Sequence, residues 1–294
     1  MNIELPEIVS RSRRVIDILT REFPSRNGLN PLSLKGAADF IEREFKPLDV
    51  TAASQSFQCG RITVRNLIVE KQGKYPTKPC IVVGAHYDTV MDTPGADDNA
   101  SGIAGLIELI RLFQMVSNER TIRFAAFCNE EPPYFDSPLM GSWQYARSLK
   151  EQRIPILTMI SLEMIGFAGH DVKQRYPFPL MGKIGGYPES GNFIGLVGNL
   201  RTRSIVNRAR EAMRKSCSIG VESLCAPGFI PPLFLSDHSS FWRHNYPAFM
   251  VTDTSFLRNP HYHLPTDVVE SLNFDFLAET VRGLFEAIRI LDIR

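Results

Sequence analysis

Apolar and polar positions along the chain follow two alternating rhythms. Over residues 5–22 and 33–46, Ile, Val, Leu and Phe recur at three-to-four spacing, which predicts two amphipathic helices at the start. The pattern then changes to short, β-rich apolar runs at 63–70, 80–86, 121–128, 155–163, 192–198 and 247–252. Helical stretches lie between most of these runs, at 101–116, 139–150, 201–216 and 273–292. Nearly continuous apolar strands alternating with helices predict an α/β fold. A single domain is expected, with a mixed, mostly parallel central sheet flanked by helices on both faces. Residues 1–50 supply the N-terminal helices that pack on it. The stretch 168–191, AGHDVKQRYPFPLMGKIGGYPESG, is rich in Gly and Pro and lacks periodicity, so it is expected to form a surface excursion near the binding site.

Composition narrows the classes without choosing among them. The 294 residues are 44% apolar and 22% charged, which fits a globular chain and excludes collagen, coiled coil and disorder. Thirty-three basic against 32 acidic side chains leave +1, a balance that provides no field for capturing nucleic acid or an anionic membrane. The five cysteines are odd in number and never form a CxxC, so neither a disulfide framework nor a thiolate metal site is indicated. With no apolar leader and no run of 18 uncharged apolar residues, the expectation is a soluble, cytoplasmic protein.

Chemistry is sought where apolar strands end, because open α/β sheets bind ligands beyond the carboxyl ends of their strands. CIVVGA runs into His86-Tyr87-Asp88, TIRFAAFC into Asn129-Glu130-Glu131, and PILTMISL into Glu163. Between the first two lies PGADDNASG, with Asp97 and Asp98 ahead of a helix; near the C-terminus NPHYHLPTD carries His261 and His263. Imidazoles and carboxylates without thiolates make the N/O donor set suited to zinc or a related divalent ion. Clustered carboxylates would repel one another, and two dications would favour their ionised forms. Asp88, two residues from His86, is placed either to accept the second N–H of a ligating imidazole or to be a polar pair at a strand end. The adjacent Glu130 and Glu131 allow one to bind metal while the other exchanges a proton with water. No GxSxG elbow supports a serine hydrolase, and GKIGG at 182–186 lacks the GK[ST] of a phosphate loop.

GAHYDTV, PGADDNASG, NEEPPYFDSPLMGS, ISLEMIG, SDHSSFW and YHLPTD, in that order, resemble the co-catalytic zinc exopeptidases of the bacterial leucyl aminopeptidase and aminopeptidase Y type. Glutamate carboxypeptidase and glutaminyl cyclase share that fold. The resemblance runs from about residue 60 to the C-terminus. It implies two divalent ions, most readily zinc, with His86 and Glu163 on the first, Glu131 and His263 on the second, and Asp98 bridging. It further implies Glu130 as general base and acid, Asp88 as the residue orienting His86, Tyr262 as an oxyanion donor, and a cis Asp98–Asn99 peptide. Asp237 and His238 match a stretch on the substrate side and are expected to be pocket residues, whereas His261 is left as a loop residue. Many members of that family carry Asp where this chain has Glu163, and the EE-to-GS segment is longer here than in the shortest family versions. The implied activity is a metal-dependent exopeptidase, an aminopeptidase before a carboxypeptidase, acting on peptides or small aminoacyl compounds. The alternatives are a single-zinc glutaminyl cyclase-like acyltransferase and a non-catalytic binding relative.

Overall fold

The computed structural model describes residues 3–48, 50, 52–177, 182, 185–228 and 230–293, with the side chains of 231 and 232 left aside. One eight-stranded sheet organises them, in the order β1-β2-β4-β3-β5-β8-β6-β7. The strands are β1 (Ala53–Cys59), β2 (Ile62–Lys71), β3 (Cys80–His86), β4 (Ile122–Phe127), β5 (Ile156–Glu163), β6 (Phe193–Asn199), β7 (Gly220–Ala226) and β8 (Ala248–Thr252). The helices are α1 (Leu5–Glu22), α2 (Pro31–Phe45), α3 (Gly102–Gln114), α4 (Gly141–Glu151), α5 (Arg203–Ser216), α6 (His238–Arg243) and α7 (Phe274–Ile293).

The central strands β4-β3-β5-β8 are mutually parallel, and every residue of β3 is buried, as expected for a strand covered on both faces. Parallel pairing is less dominant than the sequence pattern suggests. β1-β2, β2-β4 and β6-β8 are antiparallel, because the chain returns to the sheet edges by routes other than helical crossovers. The pattern also omits β1 and β7. These are the two outer strands of the sheet, and their sequences ASQSFQC and GVESLCA carry polar residues that an edge exposed on one side tolerates.

The two faces are covered unequally. α1, α2, α3, α5 and α7 bury the larger apolar core on one face. Within it, Glu108 of α3 is buried and receives Nε and Nη2 of Arg11 at 2.9 and 2.8 Å, which ties α1 to the middle of the molecule. On the other face α4 and α6 cover the sheet from β2 to β8, with Val82, Phe127, Tyr145, Met159 and Phe241 between them. The β6-β7 half of that face is roofed by described parts of the 168–191 excursion, whose arms pair at Lys173 and Ser190; residues 178–181, 183 and 184 of it lie outside the described residues. Among the described residues no helix is long and apolar enough to cross a membrane.

Candidate metal centre

Three neighbouring parallel strands end side by side, and each delivers an ionisable side chain. His86 closes β3, Glu130 and Glu131 follow β4 after Asn129, and Glu163 closes β5. Asp98 comes from the turn leading into α3, where the Asp98–Asn99 peptide is cis, and His263 from the loop between β8 and α7. Asn129, Met164 and His263 adopt left-handed φ of 58°, 50° and 58°, a conformation that costs energy in non-glycine residues and clusters at functional sites. Asn129 precedes Glu130, Met164 follows Glu163, and His263 is itself a site residue, so these three bends sit at the centre.

Asp98 is the centre of the geometry. Its Oδ1 lies 3.4 Å from His86 Nε2, and its Oδ2 lies 3.1 Å from His263 Nε2. Glu163 Oε2 stands 3.4 Å from His86 Nε2, and Glu131 Oε1 stands 3.3 Å from His263 Nε2. Three donor sets result, each with its ligand atoms within 4.8 Å of one another: His86–Asp98–Glu163 and Asp98–Glu131–His263, which share Asp98, and His86–Glu130–Glu131, which does not include it. Glu130 Oε2 is farther out, 3.9 Å from His86 Nε2. Asp98 Oδ1 is buried without a hydrogen-bond partner, which fits an oxygen whose partner is a cation. The five groups therefore match the N/O donor chemistry of divalent ions.

Protein charge alone does not balance this cluster. Burial, followed by the Asp98 carboxylate, pushes Glu131 up to about 8. Burial also drives Glu130 well above the usual carboxylate range, with Glu131, Glu163 and Asp237 adding to it and His86 opposing. Burial works against the charged imidazoles, but Glu163 and Glu130 outweigh it at His86, and Asp98 and Glu131 raise His263 to about 10. Burial works against the Asp98 carboxylate, but the facing His263 and His86 imidazoles outweigh it and hold it below the ordinary range. Such mutual protonation is what carboxylates and imidazoles do when they must neutralise one another without a metal.

Asp88 has a different geometry from the one its spacing suggests. Its Oδ1 accepts the Glu130 N–H and its Oδ2 the Glu131 N–H, both at 3.0 Å. His86 Nδ1 lies 3.1 Å from the Asp88 backbone carbonyl and 3.6 Å from its carboxylate, so the carbonyl is the nearer partner. Two further side chains, Asp267 and Ser236, anchor the centre. Asp267 accepts the Asp97 and Asp98 N–H groups at 2.9 and 3.1 Å, and Ser236 Oγ donates to Glu163 Oε2 at 2.7 Å. Both stand in segments that the sequence marks out, YHLPTD and SDHSSFW, but spacing does not say which residue reaches the centre.

Asp237 and His238 depart from the expected pocket position. Both are fully buried and neither lines the cavity, because α6 begins at His238 and packs its first turn under the sheet. His238 Nε2 meets the Leu233 carbonyl at 2.7 Å, and burial lowers its pKa to about 4, so it is neutral. His261 bonds Thr266 Oγ1 through Nδ1 and takes no part in the centre. Ser101 donates to the Asp97 carbonyl and accepts from Ile165 N–H, a structural role. Tyr262 stacks on His263 with ring centroids 3.7 Å apart, and burial, then Asp98 and Glu131, raise its pKa, so the hydroxyl keeps its proton.

Beside Glu130, Glu131 and Glu163 opens a cavity of about 260 Å³. Its floor is sheet: Gly195 pairs with Glu222 and Thr252, and Val197 with Leu224 and Met250, so all six present to one face. Tyr176 and Tyr187 of the excursion form the roof, and no lysine or arginine lines it among the described residues. Arg258 lies beneath the wall, donating to Gln174 Oε1 and the Phe193 carbonyl.

The uncharacterized protein YfbL of Escherichia coli K12 is 36% identical over 280 residues, covering 92% of this chain and 84% of its own length. A probable leucine aminopeptidase of Arthroderma benhamiae is 28% identical over 68% of this chain, which spans half the length of that relative. BSAP, a zinc aminopeptidase from Bacillus subtilis, superposes with a TM-score of 0.76 at 17% identity, over 97% of this chain and 95% of BSAP, a likeness of fold. Residues 66–288, which hold every donor described above, match the profile of Peptidase family M28, and the chain belongs to that family.

Proposed function

We propose that the chain is a metal-dependent aminopeptidase that hydrolyses the peptide bond next to a free amino terminus. One observation carries the reading: Asp98 turns one carboxylate oxygen to each of two imidazoles, while Glu130 stands beside them in neither of the two Asp98-containing donor sets. His86, Asp98 and Glu163 would hold one divalent ion and Asp98, Glu131 and His263 a second, with zinc favoured by the mixed imidazole and carboxylate donors. Such ions, when bound, polarise the scissile carbonyl and make water more acidic. Glu130 then takes a proton from the attacking water and returns it to the departing amine. Asp88 holds the backbone of Glu130 in place through its N–H, and the protonated Tyr262 hydroxyl is the donor assigned to the developing oxyanion.

The cavity favours the amino end of a substrate. It is walled largely by apolar side chains and carries Glu130, Glu131, Glu163 and Glu222 as its acidic groups, which suits an ammonium and an apolar side chain and presents no lysine or arginine to a carboxylate among the described residues. The second donor set is what separates this reading from a single-zinc acyltransferase. All five cysteines are free, which supports a reducing compartment such as the cytoplasm.

Metal analysis combined with a panel of aminoacyl arylamides and N-blocked peptides tests the proposal. Cleavage of free but not blocked substrates, with two ions per chain, is expected. Glu130→Gln should keep both ions and lose about 10²–10⁴-fold in kcat, the share ordinarily supplied by a positioned acid–base group. Equal activity on blocked substrates, or undiminished turnover in Glu130→Gln, overturns it.

A further inference from the structure

Arg26 is among the largest fully buried side chains of the molecule. It lies in the turn between α1 and α2, ahead of residue 66 where the family match begins. Its guanidinium donates to backbone carbonyls rather than to carboxylates. Nε reaches Tyr87 at 2.7 Å, Nη2 reaches Gly95 at 2.7 Å, and Nη1 reaches Pro94 at 2.5 Å and Leu19 at 3.4 Å.

The chemical sense of this arrangement lies in what those carbonyls belong to. Tyr87 is flanked by His86 and Asp88, and Gly95 precedes Asp98 by one short turn. The fork therefore spans the two ends of the loop that separates the first donor from the shared one. Its neighbours tighten the same loop: Asn27 Nδ2 donates to the Thr89 carbonyl at 3.0 Å, and the Ser25 N–H to the Thr93 carbonyl at 3.0 Å. Gly95 has φ 65°, and a Cβ there would stand 2.5 Å from the Asp98 carbonyl and 3.0 Å from Arg26 Nη2, so the close approach depends on glycine. From the opposite side Asp267 receives the N–H groups of Asp97 and Asp98. Carbonyls are gripped by a cation and N–H groups by an anion, and Asp98 is fixed between them.

A buried guanidinium is costly to desolvate and persists where its planar fork does something a point charge does not. Burial lowers its pKa only to about 10, with Asp267 and Asp88 opposing, so it remains cationic at neutral pH. We propose that Arg26 is a positioning residue for the metal centre: its fork sets the separation of His86 and Asp98, and through it the N-terminal helices govern metal affinity. The inference rests on the metal-dependent reading above, but it concerns affinity rather than turnover.

The test uses the full chain and titrates zinc and cobalt(II) against a chromogenic chelator. Arg26→Lys is the decisive variant, since it keeps the positive charge and gives up the fork; removing the charge as well would raise the attraction of the site for cations and blur the reading. Arg26→Lys should bind about 10–100-fold more weakly, the usual effect of losing a residue that orients metal ligands, and should displace the cobalt absorption bands while near-ultraviolet circular dichroism stays like the parent's. Asn27→Ala should weaken binding in the same direction, and it decides the matter by itself if Arg26→Lys does not fold. A parent that binds and an Arg26→Lys protein that binds equally well, with unshifted cobalt bands, overturn the inference alone. A parent that binds neither ion overturns the functional reading and this inference together.

Discussion

Asp88→Asn isolates the positioning of the two glutamates from their chemistry. Asp88 is 1% exposed, and each of its oxygens accepts one backbone N–H at 3.0 Å, from Glu130 and from Glu131. Asparagine has almost the same shape but only one acceptor, so one of the two N–H groups must face an amide NH₂. Leaving one buried donor unsatisfied costs about 1–3 kcal/mol, and losing the charge assistance on the other adds about 1 kcal/mol, which gives roughly 2–4 kcal/mol in total. His86 should be little affected, since its Nδ1 meets the Asp88 carbonyl, which the substitution leaves in place. The expected result is a variant that retains zinc at the His86 position. It should lose about 10–100-fold in kcat/KM, and its urea midpoint should fall in line with that energy. Both measurements belong on metal-loaded protein, because removing an anion from the metal-free cluster would relieve repulsion and mask the loss. Unchanged stability together with kcat/KM within threefold of the parent would refute the argument that this carboxylate holds the Glu130–Glu131 corner.

Chelation should expose the charge imbalance as a pH dependence. Glu131 at about 8 and Glu130, also raised, bind protons in the folded state that the unfolded chain releases near 4.5, so their contribution is present below that value and lost as pH rises toward 8. His263, raised to about 10, loses its contribution as pH rises from 6.5 toward 10, so the chelated protein should melt progressively lower from pH 5 to pH 9. The metal-loaded protein should show a much flatter profile across that range; equal slopes with and without metal would count against the donor set. Gly195→Val should fill the middle of the cavity floor, where a Cβ would lie 3.3 Å from the Thr252 carbonyl. Cleavage of phenylalanyl arylamide should then fall by about tenfold or more relative to alanyl arylamide, and an unchanged ratio would place the substrate side chain elsewhere.

Much of the centre is legible in the chain because its donors sit at the ends of apolar runs. CIVVGA, TIRFAAFC and PILTMISL read as strands from their local pattern, which places His86, Glu130, Glu131 and Glu163 at strand ends; the parallel β4-β3-β5 order then brings those ends together. Asp267 and Ser236 are not legible in the same way. Each acts on a residue far away in sequence, 169 positions for Asp267 on Asp98 and 73 for Ser236 on Glu163, and no periodicity encodes such a pairing. Asp237 and His238 show the converse error. Their segment does reach the centre, through Ser236, but the helix that starts at His238 turns both side chains inward.

The α/β rhythm, the central strands and the candidate donor residues can be read from the chain, since hydrophobic periodicity and side-chain chemistry are local properties. Tertiary structure alone decided the strand order, the two polar edge strands, the open β6-β7 face that becomes the cavity, and the anchoring of Asp98 between Arg26 and Asp267. Those features depend on which backbone groups remain unpaired once the core has closed. An even balance of 33 basic and 32 acidic side chains cannot reveal that five carboxylates, those of Asp88, Asp98, Glu130, Glu131 and Glu163, are gathered at one end of a sheet.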